Sequence, residues 1–152
     1  MSKAIEEAKT SSALGQYVLG SIVVNTEGEI LAIAHTSTHA DQDSTAHAEV
    51  NAIRMASKKT NNLYLPGCWL YSTLEPCPMC TAAAIWAKME GIVFGASKED
   101  AMEFAADSTD KKFTWRQIDI SSRSIIEKGE PRLKLHECFM REECKKLFSY
   151  SK

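Results

Sequence analysis

The hexapeptide EPCPMC at residues 75–80 constrains this chain more than any other stretch of it. Cys77 and Cys80 stand three apart, a spacing that puts both sulfurs on one face of a helix. Pro78 suits the first turn of such a helix, where its missing N–H is not needed. Such a pair is a redox couple, half of a metal site or two buried thiols, and Cys-x-x-Cys alone does not choose among them. TAHAEV at residues 45–50 does. His47 and Glu49 fall at the first turn of one expected helix, and the two cysteines fall at the first turn of the next. A helix N-terminus favours thiolate over thiol, and so does a cation. His47, Cys77 and Cys80 then make a Cys2His set for Zn²⁺, three protein ligands with a fourth position open to water, as in catalytic sites. A structural zinc takes a fourth protein ligand, and none stands at a comparable spacing. Glu49 lies two residues past His47, about 200° around a regular helix. At a frayed first turn it hangs beside the metal instead, able to take a proton from an activated water and pass it to a leaving group. Thioredoxin-like redox chemistry calls for neither His47 nor Glu49.

Composition bounds what surrounds this site. A chain of 152 residues is expected to form one domain with its own core, residues 1–152. No apolar run approaches the roughly 20 residues of a bilayer crossing. The start, MSKAIEEAKT, lacks the apolar stretch of a signal peptide, so a cytoplasmic location without membrane contact is expected. Five cysteines, an odd number, argue against a disulfide framework. Cys68, Cys138 and Cys144 are expected as small buried apolar groups. Trp69 and Trp115 are expected in the core, and His39 and His136 on the surface. The net charge of −2 carries no overall nucleic-acid signature. Residues 121–152 hold eight Lys/Arg against five Asp/Glu, which reads first as a solvated helix face and only weakly as a phosphate contact. Lys58-Lys59 and Lys145-Lys146 read the same way.

The apolar pattern places the motifs on elements. Residues 2–9 suggest a short amphipathic helix, and 18–25 and 29–35 a hairpin joined by a glycine-bearing turn. Residues 37–45 read as loop, and 46–58 as a helix capped by Asp43, Ser44 or Thr45. CWLYSTL (68–74) is strand-like. The next helix begins at EPCPMC and runs to about Met89. Strands follow at 91–96 and 133–137, and a helix over 138–148 closes the chain. Residues 97–132 are read as a helical turn or two and much loop. The order suggests a sheet covered by helices on both faces.

With those residues placed, the chain resembles the cytidine deaminase-like superfamily, and within it the branch of guanine deaminases and tRNA adenosine deaminases. His-x-Glu with Pro-Cys-x-x-Cys is the known signature of zinc deaminases. VLGSIVV (18–24), DSTAHAEVNAIR (43–54) and LEPCPMC (74–80) carry the likeness over most of the chain. The resemblance implies an α/β fold, a three-layer α/β/α sandwich with a mixed five-stranded sheet. It also implies hydrolytic deamination: a zinc-activated water attacks an amino-bearing ring carbon, Glu49 shuttles protons and ammonia leaves. AAIWAK (83–88), EDAMEFAAD (99–107) and WRQID (115–119) are similar to guanine deaminase-like enzymes. By that likeness Trp86 covers the bound ring, Asp107 contacts its amino group, and Ala48 and Phe104 complete the substrate contacts. Thr36 falls where both groups usually carry a base-binding Asn, and one hydroxyl cannot present an amide's paired pattern. The alternative is a tRNA-specific adenosine deaminase acting on an extruded anticodon adenosine, supported by STLEPC and the ending HE-x5-EC-x2-L (136–147). Those enzymes usually continue into an arginine-rich helix, and this chain stops at FSYSK. A small purine-like base or nucleoside is therefore the expected substrate, with nucleic acid second. The resemblance further implies a homodimer, with Phe139, Leu147, Phe148 and Tyr150 apolar enough to bury against a neighbour.

Overall fold

A computed structural model describes residues 1–107 and 118–150. The WRQID stretch lies largely outside the described residues, and Trp115 with it. Helix α1 (Ser2–Ala13) leads into the hairpin β1 (Gly20–Val24) and β2 (Ile30–His35). The single turn α2 (Thr38–Asp41) precedes α3 (Ala48–Thr60), β3 (Trp69–Leu74) and α4 (Pro78–Trp86). Then come β4 (Gly91–Ala96), α5 (Lys98–Asp107), α6 (Ser122–Glu127), β5 (Lys134–His136) and α7 (Arg141–Lys145), with a 3₁₀ turn at Lys146–Tyr150. The sheet order is β2-β1-β3-β4-β5. Its first two pairings are antiparallel and its last two parallel, so the sheet is mixed, as expected.

Each face of the sheet has its own core. On one, Val23, Ala34 and Leu70 pack with Ile53 of α3, Ala84 of α4 and Ile126 of α6. On the other, Ala8 and Val18 pack with Leu147, and Leu74 and Ala96 pack with Cys144 and Phe148. Two glycines set how closely helices approach. A Cβ on Gly20 would lie 2.1 Å from the Ala4 carbonyl oxygen in α1. One on Gly95 would lie 2.1 Å from Cys144 Sγ in α7. Among the described residues, no helix is long and apolar enough to cross a membrane.

Several expectations change in the structure. The stretch 97–132 contains two helices, α5 and α6. The expected helix 138–148 is short and late, because Cys138 and Met140 both take left-handed backbone (φ 59° and 57°), which no α-helix continues through. Cys138 is exposed, whereas Cys68 and Cys144 are buried as expected. Helix α4 ends at Trp86, short of Met89. Lys88 is left-handed there, and the Met89 N–H reaches back to the Ala84 carbonyl in the pattern that closes helices. Leu147 and Phe148 fill their own chain's core, leaving only Phe139 and Tyr150 exposed of the four residues expected at a subunit contact. Lys145 reaches a buried carboxylate, Asp100, at 3.4 Å rather than lying on a purely solvated face.

Candidate metal and active site

Two helix starts meet over the C-terminal end of β3. His47 is the N-cap residue of α3, in extended backbone (φ −71°, ψ 152°), and helical geometry begins only at Ala48. The 200° separation of a regular helix therefore does not apply, and His47 and Glu49 reach the same spot. Asp43 caps nothing; its carboxylate accepts the N–H and hydroxyl of Thr45 and shapes the turn before the helix. Cys77 is likewise extended at the N-cap of α4, with Pro78 in the first turn and Cys80 one turn in. Both sulfurs face His47. Cys77 Sγ lies 3.7 Å from His47 Nδ1, Cys80 Sγ lies 3.5 Å from it, and the sulfurs are 3.6 Å apart.

That spacing fits a metal. Donors about 2.0–2.3 Å from one ion at tetrahedral angles lie about 3.5–3.8 Å from each other. A disulfide would need its sulfurs about 2.05 Å apart. His47, Cys77 and Cys80 are thus a group that could hold a metal ion, and a borderline-soft Cys2His set suits zinc.

The electrostatics point the same way. The Cys77 thiol is pushed down to about 4, first by its hydrogen bond with Cys80 and then by His47. Cys80 is pushed up by that same shared hydrogen bond and by burial. His47 is raised, chiefly by its hydrogen bond to Cys77. Glu49 is 5% exposed, and burial raises its carboxyl. Ser72 on β3 donates to Glu49 Oε1 at 3.1 Å, leaving Oε2 aimed at the site, 3.5 Å from Cys80 Sγ.

A cavity of about 280 Å³ opens above these groups, with His47, Glu49 and Cys77 among its lining residues. It is close to the smallest size typical of ligand pockets, about 300 Å³, and suits one ring system rather than a long chain. Leu19, Leu74, Ile118 and Ile120 make apolar wall, and Lys98 and Glu75 bring charge.

None of the five expected substrate contacts lines this cavity. Thr36 is 1% exposed, and its hydroxyl donates to the Ala46 carbonyl at 3.2 Å. Ala48 is wholly buried at the start of α3. Trp86 is 80% exposed at the far end of α4. Six residues past Cys80 it lies about 9 Å further along the helix axis. Phe104 packs on Phe148, with ring centroids 5.5 Å apart. Asp107 ends α5 in solvent. Sequence reasoning missed Ser72, Glu75, Lys98, Ile118 and Ile120. Ser72 was findable as a polar residue inside an apolar strand, Glu75 and Ile118 lie within the quoted EPCPMC and WRQID stretches without any role read for them, and Lys98 and Ile120 sit in no pattern.

Residues 1–96 match the family described as the cytidine and deoxycytidylate deaminase zinc-binding region. The chain belongs to that family. The match takes in all four of His47, Glu49, Cys77 and Cys80, and the family is one of zinc-binding deaminases. Among similar proteins, a tRNA-specific adenosine deaminase of Aquifex aeolicus is 45% identical over 93 residues, 61% of this chain and 61% of that protein. A guanine deaminase of Bacillus subtilis is 38% identical over 100 residues, 66% of this chain and 62% of that protein. The chain thus spans about three-fifths of the length of these curated relatives. In three dimensions it is similar to a solved tRNA:A34 deaminase of A-to-I editing, at TM-score 0.77 and 25% identity, over 97% of this chain and 96% of the other.

Proposed function

We propose that this protein is a zinc-dependent hydrolytic deaminase whose substrate is an adenosine extruded from tRNA. The observation that carries the chemistry is the Glu49 carboxylate, buried on the cavity floor beside the His47–Cys77–Cys80 group. His47, Cys77 and Cys80 would hold the zinc, which would supply a water activated for attack at neutral pH. Glu49 does the proton work. Burial raises its carboxyl above the ordinary carboxylate value, the direction a general acid–base glutamate needs. The Ser72 hydroxyl keeps the carboxylate's other oxygen in place. In the net reaction a C–O bond forms at the amino-bearing carbon, the C–N bond breaks, and ammonia leaves with the protons Glu49 delivers.

The substrate reading differs from the one the sequence favoured. Higher identity to a tRNA-specific adenosine deaminase than to a guanine deaminase supports a polynucleotide substrate. The cavity's size is consistent with one unstacked base entering while the rest of the strand stays outside. A free guanine-like base remains the second reading, supported by the likeness in residues 83–88 and 99–107. Zinc-loaded protein should release ammonia from an adenosine-bearing tRNA anticodon stem-loop and leave guanine unchanged. Turnover of guanine alone would reverse the two readings, and turnover of neither would remove both.

A further inference from the structure

Glu75 stands two residues before Cys77 and takes no part in the chemistry above, yet it lines the cavity. Its carboxylate is divided between two backbone donors. Oε2 accepts the Lys98 N–H at 3.0 Å, and Oε1 accepts the Ser122 N–H at 2.9 Å. With both oxygens occupied it is poorly placed to carry protons. Its own N–H donates to the Ala96 carbonyl at 2.8 Å, which ties it to the end of β4. Ser122 is anchored a second time, its hydroxyl donating to the Pro76 carbonyl at 2.7 Å.

Both segments it ties are cavity wall. Lys98 opens α5 and lines the cavity. Ile118 and Ile120 line it from the strap that leads into Ser122, and they stay 62% and 43% exposed despite being apolar. Lys98 Nζ also bonds Asp119, between those two isoleucines, but Asp119 is 87% exposed and that tie is open to solvent. A flat ring seated in the cavity would cover the two side chains that the fold leaves bare.

We propose that Glu75 is a positioning residue for the deamination: its carboxylate holds the start of α5 and the strap 118–122 against the Cys77 turn, so that Ile118 and Ile120 form the apolar wall on which the substrate ring seats. A carboxylate suits this place because it offers two acceptors and no donor. Glutamine offers one acceptor and turns an NH₂ toward the other N–H. The proposal rests on the deaminase reading, and its test separates the two.

Zinc-loaded Glu75→Gln and Ile120→Ala are compared with the parent by metal content, amide hydrogen exchange and steady-state kinetics on whichever of the tRNA stem-loop or guanine the parent turns over. Glu75→Gln should keep its zinc, exchange the Lys98 and Ser122 amides at least about tenfold faster, and raise KM about tenfold or more with kcat nearly unchanged. Ile120→Ala should raise KM several-fold without changing the Lys98 amide. Unchanged exchange in Glu75→Gln overturns the brace, and faster exchange with unchanged KM reduces it to a structural tie. If Glu75→Gln does not fold, an unchanged KM in Ile120→Ala overturns the wall. If the parent turns over neither substrate, the deaminase reading fails, and the exchange rates by themselves decide the brace.

Discussion

Replacing Asp100 by asparagine tests whether α7 is fastened to the site through one buried carboxylate. Asp100 is 2% exposed. It accepts the Ser97 N–H at 2.9 Å while Ser97 Oγ accepts the Asp100 N–H at 3.2 Å, a reciprocal cap on α5. The same carboxylate takes two bonds from Arg141, at 2.9 and 2.7 Å. Asparagine is isosteric and can keep the cap with its one oxygen, but its NH₂ then faces the guanidinium. The loss is the charge-assisted bonding, and water reaching the far side of the pair offsets part of it. Asp100→Asn should therefore cost about 2 kcal/mol, near the middle of the range for bonds to charged groups. For a chain of this length that lowers Tm by about 4–8 °C.

The pH dependence carries a definite sign. The Arg141 bonds hold Asp100 well below its ordinary value of 3.8, so the folded protein binds this proton less readily than the unfolded chain does. The stabilisation is complete above about pH 4 and is lost as pH falls below it. The gap between parent and Asp100→Asn should be constant from pH 5 to 8 and close on further acidification, read by urea unfolding of zinc-loaded protein. A gap under about 0.5 kcal/mol at pH 7, or one that widens toward acid, refutes the reasoning.

Cys80→Ala should lose the metal, because two remaining ligands hold zinc poorly; less than half an equivalent by elemental analysis is expected. Glu49→Gln should retain zinc but lose turnover by about 10²–10⁴-fold, and a kcat within about tenfold of the parent would remove Glu49 from the proton transfer. Gly95→Ala places its Cβ 2.1 Å from Cys144 Sγ and 2.9 Å from the Thr73 carbonyl oxygen. It should destabilise by about 1–3 kcal/mol in thermal melts.

The group that could hold a metal, and the glutamate beside it, were legible in the sequence because each pair lies within a few residues, on motifs whose local conformation follows from Pro78 and from the helix starts. The strands were legible too, since strongly apolar runs bounded by glycine have few other ways to be buried. What escaped was set by contacts between distant segments. The backbone that lets His47 and Glu49 converge is decided at an N-cap, where the helical period no longer applies. Trp86 follows the cysteines closely in sequence, but the rise of α4 carries it away from the cavity. The cavity lining draws on residues 19, 44, 47, 49, 74–79, 98, 118 and 120, segments far apart in the chain, two of which Glu75 joins through the Lys98 and Ser122 amides. Sequence alone determined what chemistry the site can perform. Tertiary structure decided which side chains line the cavity, because a pocket wall is assembled from segments whose separation along the chain says nothing about their distance in space.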